Sequence, residues 1–234
     1  MLLTLTLREV ERATPRAAIV RLALGGRQFD YAAGQAVLFG RSGQADRRPY
    51  SLATSPAECR DRDELELLVG LDAVGQTGPH LGTLTAGMSV DVEGPVGSFT
   101  FPPAPAENRF LFVAGGTGIA PLRAMLHEAL ARPAPTQISV IYSARTPNEF
   151  AYGPELRALA AAGRLSLWQT VTREAEEHWD GAQGRIALGH LRSMLQDTET
   201  LCFLCGPHAL VREISPLLEQ LGIAPERVRV EEWK

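Results

Sequence analysis

Lysine is almost missing from this chain: Lys234 is the only one in 234 residues. A Schiff-base mechanism, which needs a buried amine, therefore has no candidate. Cysteine is scarce as well. Cys59, Cys202 and Cys205 are odd in number and form no disulfide framework, which fits a reducing compartment. Cys202-Phe203-Leu204-Cys205 has the spacing of a redox or zinc pair, but no second pair accompanies it. In a strand, moreover, residues three apart point to opposite faces, so no metal site is expected. No stretch approaches the roughly 18 apolar residues of a membrane-spanning helix. Met1 to Leu7 alternates apolar and polar residues like a first strand, without the basic start, long apolar core and cleavage site of a signal peptide. The expectation is a cytoplasmic protein with no membrane insertion. An excess of one charge sign is also missing. Residues 1–104 carry 10 basic and 12 acidic side chains and the remainder 13 and 15, so each half bears −2. That balance argues against a nucleic-acid surface.

What is present is the composition of an ordinary globular protein, 45% hydrophobic and 21% charged. The length suits two domains. From Leu3 to Val92, short alternating or β-branched runs are punctuated by Gly25-Gly26, Gly34, Gly40, Gly43, Gly75, Gly78 and Gly87, the spacing of an antiparallel β-barrel. Pro102, Pro103 and Pro105 interrupt regular structure, which puts the division at 1–104 and 105–234. Beyond it, strands alternate with helical segments, as in an α/β doubly wound parallel sheet. Strands are expected at Phe110–Ala114, Ile138–Tyr142, Leu165–Val171, Leu201–Cys205 and Val228–Val230, with helices at Pro121–Ala131, Pro154–Ala162, Leu188–Leu195 and Ala209–Leu221.

The strand Phe110–Ala114 runs into Gly115-Gly116-Thr117-Gly118-Ile119-Ala120-Pro121. Glycines let the backbone approach a ligand closely, a helix start attracts a pyrophosphate, and Pro121 suits the first helical position. Read from Gly116, the G-x-G-x-x-G fingerprint fails because Pro121 replaces its third glycine, and no Gly-Lys-Ser/Thr follows to suggest a nucleoside triphosphatase.

This turn is one of several landmarks in order: Arg48-Pro49-Tyr50-Ser51, Gly94-Pro95-Val96-Gly97-Ser98-Phe99, Gly115–Pro121 and Cys205-Gly206-Pro207. Together they resemble the ferredoxin–NADP reductase superfamily over nearly the whole chain. The resemblance implies a flavin-binding barrel, a nicotinamide-binding sheet, FAD as cofactor and NAD(P)H as electron donor. It places Arg48, a fork of donors suited to phosphate, on the flavin pyrophosphate and Tyr50 on the isoalloxazine ring. Ser51 falls near flavin N5, and Pro49, Gly97 and Phe99 belong to the same cofactor-binding segments. Val74-Gly75-Gln76-Thr77 aligns with the family's second phosphate segment and offers Thr77, although Gly78-Pro79 departs from the usual form there. His80 is read as structural or as a flavin-edge contact.

On the nicotinamide side the resemblance implies Gly115, Gly116, Thr117, Gly118, Pro121, Cys205, Gly206 and Pro207, with Cys205 beside the nicotinamide and Thr117 across from it. Trp233 corresponds to an aromatic residue that covers the flavin until nicotinamide displaces it, and one of Glu231 and Glu232 would line the pocket. Arg145, Thr172 and Arg173 would meet the adenosine end; Arg173 leans the reading towards NADPH, whereas Trp179-Asp180-Gly181 and Gly184-Arg185-Ile186 also occur in NADH-using relatives. Ser51, Tyr50 and Cys205 are the catalytic candidates, with nicotinamide C4 held about 3 to 3.5 Å from flavin N5. The four-cysteine spacing of a fused iron–sulfur domain is absent. The expected acceptor is thus separate, a ferredoxin or an oxygenase component. A free-flavin reductase and a non-catalytic electron-transfer subunit are the alternative readings.

Overall fold

The computed structural model describes residues 1–72, 74–78, 81–133, 136–173, 179–195 and 197–233, without the side chain of Trp233. In the first half the alternation folds into six antiparallel strands: β1 (Leu2–Thr14), β2 (Ala17–Ala23), β3 (Ala36–Arg41), β4 (Arg48–Ser51), β5 (Glu64–Gly70) and β6 (Ser89–Val96). They pair in the order β4-β3-β6-β1-β2-β5. A bridge between Leu52 and Leu67 joins the two outermost strands, and the Ala53 N–H donates to Glu66 O at 2.8 Å beside it. Closing the barrel in this way removes the unpaired edges. Strand β1 serves two partners, pairing β6 through Leu2–Thr6 and β2 through Thr6–Thr14, with register shifts after Leu7 and Arg12. Such bulges supply the bend that closure needs. Inward-facing Leu5, Leu7, Val20, Leu22, Leu65, Leu67, Val90 and Val92 are fully buried.

Helix α1 (Pro56–Arg62) interrupts the barrel strands, where the alternating pattern predicts none. Its start is nevertheless written locally. Ser55 Oγ accepts from the Glu58 N–H at 3.2 Å, and Glu58 Oε2 accepts from the Ser55 N–H at 2.9 Å. This reciprocal cap, followed by Pro56 at the first helical position, nucleates a helix in seven residues.

The second half contains β7 (Arg109–Gly115), β8 (Gln137–Ala144), β9 (Ser166–Val171), β10 (Ala182–Gln183), β11 (Leu201–Pro207) and β12 (Val228–Trp233). All pair in parallel, in the order β10-β9-β8-β7-β11-β12. Helices α2 (Ile119–Leu130), α3 (Gly153–Ala161), α4 (Leu188–Met194) and α5 (His208–Gln220) cover the faces. The expected strands and helices are all present within a few residues, and the two-residue β10 is an addition at the sheet edge. Pro121 is the third residue of α2, because a 3-10 turn at Gly116–Gly118 precedes the helix. The position still suits proline, since the first four N–H groups of a helix have no intrahelical acceptor. Cys202 and Cys205 point to opposite faces, Cys202 towards Leu111 and Ile214 and Cys205 towards Phe112 and Ala114. All three cysteines are free. Among the described residues, no helix is long and apolar enough to cross a membrane.

The two halves share one apolar core. Ala17, Ile19 and Leu68 on the barrel's outer wall belong to the same buried cluster as α2 and the sheet strands. Phe203 lies at its centre, with ring centroids 5.3 Å from Phe112, 5.7 Å from Phe101 and 6.2 Å from Phe99. Helix α2 is consequently buried on nearly every side, including Arg123. Truncating Phe203 to Ala is expected to cost about 3–5 kcal/mol of folding stability in chemical denaturation. A loss no larger than the roughly 0.5 kcal/mol of a surface substitution would show that other contacts hold the halves together.

Candidate functional site

From β7 the chain moves to β8, β9 and β10 on one side, then crosses to β11 and β12 on the other. The carboxyl ends of β7 and β11 therefore form a topological switch point, where open α/β sheets bind ligands. Two glycine-bearing turns meet there in unusually close contact. A Cβ at Gly118 would stand 2.3 Å from Cys205 O, and one at Gly206 would stand 3.1 Å from Gly115 Cα. Tyr142 braces the first turn by donating to Gly116 O at 3.0 Å.

The barrel supplies the opposite wall. A cleft of about 260 Å³ opens between the two, lined by Pro49, Tyr50 and Ser51 from β4, by Thr117, Gly118, Ala120 and Pro121, and by Cys205, Glu231 and Glu232. Three of the four landmarks, those at Arg48–Ser51, Gly115–Pro121 and Cys205–Pro207, thus face one space, and the Gly94–Phe99 segment does not line it. The cleft's volume falls below the roughly 300–1,000 Å³ that encloses a drug-sized ligand.

Glu231 links the walls. Its Oε2 accepts from Ser51 Oγ at 3.3 Å and from the Cys205 thiol at 3.9 Å. Burial pushes the Glu231 carboxyl above its ordinary range, and the Ser51 and Cys205 hydrogen bonds pull it partly back. Burial, reinforced by the nearby Glu231 charge, lifts the Cys205 thiol well above its usual value, so it stays protonated. Tyr50 packs edge-on against Phe39 at 5.7 Å, and burial raises its hydroxyl to about 12 against a smaller opposing effect of Arg48. The sequence offered either glutamate as a pocket residue. Both line the cleft: Glu231 turns towards Cys205, whereas Glu232 Oε2 meets His208 Nδ1 at 2.7 Å where the side chains are more exposed.

Other predicted residues lie around the cleft. Arg48 is exposed, with only a loose approach to Asp46 at 3.8 Å. Gly97 adopts φ +93° and an added Cβ would meet nothing within 4 Å, an open approach next to the barrel wall; Gly116, at φ +54°, is equally open. Phe99 instead buries its ring against Phe203 in the shared core. The Thr77 hydroxyl donates to Gly82 O inside its own loop, and Thr77 is not among the cleft-lining residues. Arg145 and Arg173 stand side by side at the ends of β8 and β9, joined by an Arg173 N–H to Arg145 O bond of 3.0 Å, and Thr172 Oγ1 donates to Ala144 O at 3.3 Å. Pro207 pairs with Trp233 through the backbone. The side chain of Trp233, like Pro79, His80 and Glu174, lies outside the described residues.

A wider depression of about 370 Å³ lies at the sheet edge, lined by Arg157, Trp168, Gln169 and Trp179 among others. It is shallow and shares no residue with the switch point, and among the described residues Arg157 is the only titratable group that lines it. The chemistry belongs to the smaller cleft. Arg123, which no sequence motif singled out, lies directly behind that cleft and bonds to both halves.

The chain matches the family described as an oxidoreductase FAD-binding domain over residues 4–101. Over residues 112–215 it matches the oxidoreductase NAD-binding domain. It is 30% identical over 232 residues to an NADPH oxidoreductase of Mycobacterium tuberculosis, covering 96% of this chain and 58% of that protein. Identity to Ferredoxin–NADP reductase B of Sorangium cellulosum is 29% over 219 residues, covering 89% and 87%. With a nitrate reductase [NADH] of Volvox carteri it is 30% over 171 residues, covering 66% of this chain but 20% of that one. The crystal structure of a cytochrome P450 reductase from Amycolatopsis superposes with a TM-score of 0.85 at 25% identity, covering 99% of this chain and 69% of that one.

The raised Glu231 carboxyl has a consequence for stability. A carboxyl whose folded pKa lies above its unfolded value of 4.5 favours folding most below that value, and the advantage is lost as pH rises through the folded pKa. Glu231→Gln should therefore raise the thermal midpoint at pH 8, and the difference from the parent should shrink as pH falls towards 4.5. Equal midpoints across this range in scanning calorimetry would show that the carboxyl bears no net burial penalty.

Proposed function

Because the chain belongs to the ferredoxin–NADP reductase superfamily, we propose that it carries FAD in the barrel–sheet cleft, oxidises NAD(P)H there and delivers the electrons to a separate acceptor. It is an oxidoreductase with FAD-binding and NAD-binding domains. The observation that carries the proposal is the convergence of Tyr50 and Ser51 with Thr117, Pro121 and Cys205 on one cleft. We place the division between flavin and nicotinamide halves at 1–104 and 105–234.

The residues fit such a cofactor. Tyr50 offers a protonated aromatic face, Gly97 leaves its backbone open, and Arg48, exposed and only loosely paired with Asp46, has donors for a phosphate. When bound, the flavin supplies the hydride-accepting chemistry and the ability to release electrons singly. The chain's own residues bind, orient and exclude water. Ser51 holds its hydroxyl proton against Glu231 and can turn it towards a ring edge placed on Tyr50. Cys205 stays a neutral thiol and acts by shape and weak hydrogen bonding, not as a nucleophile. Thr117 and Pro121 face it from the turn at the start of α2, whose positive end suits a pyrophosphate.

On the rim, Arg145 and Arg173 provide two adjacent cations for the adenosine end, which supports NADPH as the preferred donor. No four-cysteine cluster set exists in the chain. The acceptor is therefore a group outside these residues, and a ferredoxin or an oxygenase component fits best. The names of the Sorangium ferredoxin–NADP reductase and the Amycolatopsis P450 reductase support that class.

The test is anaerobic titration of the desalted protein. A yellow protein bleached faster by NADPH than by NADH, then reoxidised by a ferredoxin, is expected. A colourless preparation that reduces added riboflavin would overturn the retained cofactor. Arg48→Ala should lower flavin content on purification, and unchanged content would remove Arg48 from the phosphate contact. Cys205→Ala should slow flavin reduction in stopped flow by about tenfold or more while leaving the fold intact; an unaltered rate would reduce Cys205 to a packing residue.

A further inference from the structure

We infer that Arg123 is a positioning residue that fixes the distance between the Ser51 wall and the Thr117–Pro121 wall of the cleft. The inference rests on the reductase reading above and deepens it.

Arg123 is only 4% exposed. It follows Ala120 and Pro121 on α2, so it lies immediately behind two residues that line the cleft. Its guanidinium reaches groups from both halves of the chain. Nη1 donates to Ala53 O at 2.8 Å, two residues beyond Ser51, and Nη2 donates to Glu58 Oε1 at 3.1 Å. On the sheet side, Nε and Nη2 donate to the two oxygens of Glu155 at 2.7 and 2.9 Å. Glu155 also meets His127 Nε2 at 2.7 Å. A planar fork with fixed donor directions therefore joins the strand that carries Ser51 to the helix that carries Pro121.

Tyr152 extends the tie. Its ring lies 4.9 Å from the Arg123 Cζ, and its hydroxyl donates to Glu66 Oε1 at 2.9 Å across the domain boundary. Glu66 is 2% exposed and accepts from Arg21 Nε at 2.8 Å through its other oxygen. Tyr152 adopts φ +57°, a left-handed conformation that a bulky residue rarely takes. The backbone bears that strain where ring and hydroxyl both engage the interface.

Cohesion alone does not require this arrangement. A buried ion pair can often be replaced by apolar side chains of similar volume with no loss of stability, and the neighbouring Phe203 cluster already supplies apolar contact. What apolar contact lacks is direction. A multidentate guanidinium tolerates little sliding between its partners, and the reaction proposed for this cleft depends on the spacing of its walls.

The test compares the flavin-loaded full chain with Arg123→Lys, which keeps the charge and loses the fork, and with Tyr152→Phe, which keeps the ring and loses the Glu66 bond. In Arg123→Lys, flavin content and nicotinamide affinity should stay within about twofold of the parent while the limiting rate of flavin reduction falls roughly tenfold or more. Tyr152→Phe should shift the rate in the same direction by less. Amide hydrogen exchange of the flavin-free protein provides a readout independent of turnover: exchange at Ser51–Ala53 and at Thr117–Ala120 should speed up together in both variants. Should Arg123→Lys fail to fold, Tyr152→Phe and Glu58→Gln decide the matter by the same measurements. Unchanged rate and unchanged exchange in the folded variants would overturn the inference. A parent protein that holds no flavin, or is not bleached by either nicotinamide, would instead sink the reductase reading, and the exchange data would still decide whether Arg123 sets the spacing.

Discussion

A cleft whose two walls belong to different sheets exists only while those walls cannot drift apart, and the burial of α2 between barrel and sheet imposes that constraint here. The helix contributes Ala120 and Pro121 to the cleft, Met125 to the barrel contact at Gly34, and Leu122 and Leu126 to the shared core. Gly34 adopts φ +101°, and a Cβ there would lie 2.2 Å from the Met125 methyl and 2.4 Å from Phe99 O. Only a residue without a side chain lets α2 approach the barrel this closely. The mutual approach of Gly118 and Cys205 fixes the other side in the same manner. These two close approaches help decide which side chains share a space.

Within that space the electrostatics run one way. Burial pushes Tyr50, Cys205 and Glu231 each towards its neutral form. Outside the cleft lining, Arg48, Arg145 and Arg173 are exposed to solvent. Inside it, Tyr50 and Cys205 stay neutral, so Glu231 is the one cleft group among them whose ionisation its surroundings oppose without abolishing.

Much of this was legible in the sequence. Alternation and glycine spacing mark the barrel, and continuous apolar runs such as Phe110–Ala114 mark the central parallel strands. The glycine turn after β7 and the Cys205-Gly206-Pro207 segment name the switch point before any pairing is known. Helix α1 escaped because its signal is a cap and not a periodicity, seven residues being too few for a stripe. Phe99 escaped for a different reason. A motif tells which segment approaches a ligand, but the tertiary contact with Phe203 decides which way one ring turns. Thr77 illustrates the same limit, since its hydroxyl is satisfied by Gly82 within the loop.

Arg123 was the least legible of the important residues, and the physical reason is general. Sequence patterning treats a charged residue on a helix as a solvent-facing position, and on an amphipathic surface helix that rule holds. Helix α2 has no solvent face to offer at that position, because the barrel occupies it. The charge survives there only because carboxylates arrive from both halves. Glu58 is delivered by the cap of α1 and Glu155 by the first turn of α3, elements separated by nearly a hundred residues of chain. Burial opposes the charge on Arg123, yet the hydrogen bonds and charges of Glu155 and Glu58 more than offset it and keep the guanidinium firmly protonated. Glu155 in turn resists its own burial through His127 and Arg123, and its carboxyl is held down to about 2. Each member is stable as an ion only because the others are in place. Such a cluster is therefore a property of the assembled interface and of no single segment, and a reading that proceeds along the chain meets its parts as unrelated surface charges.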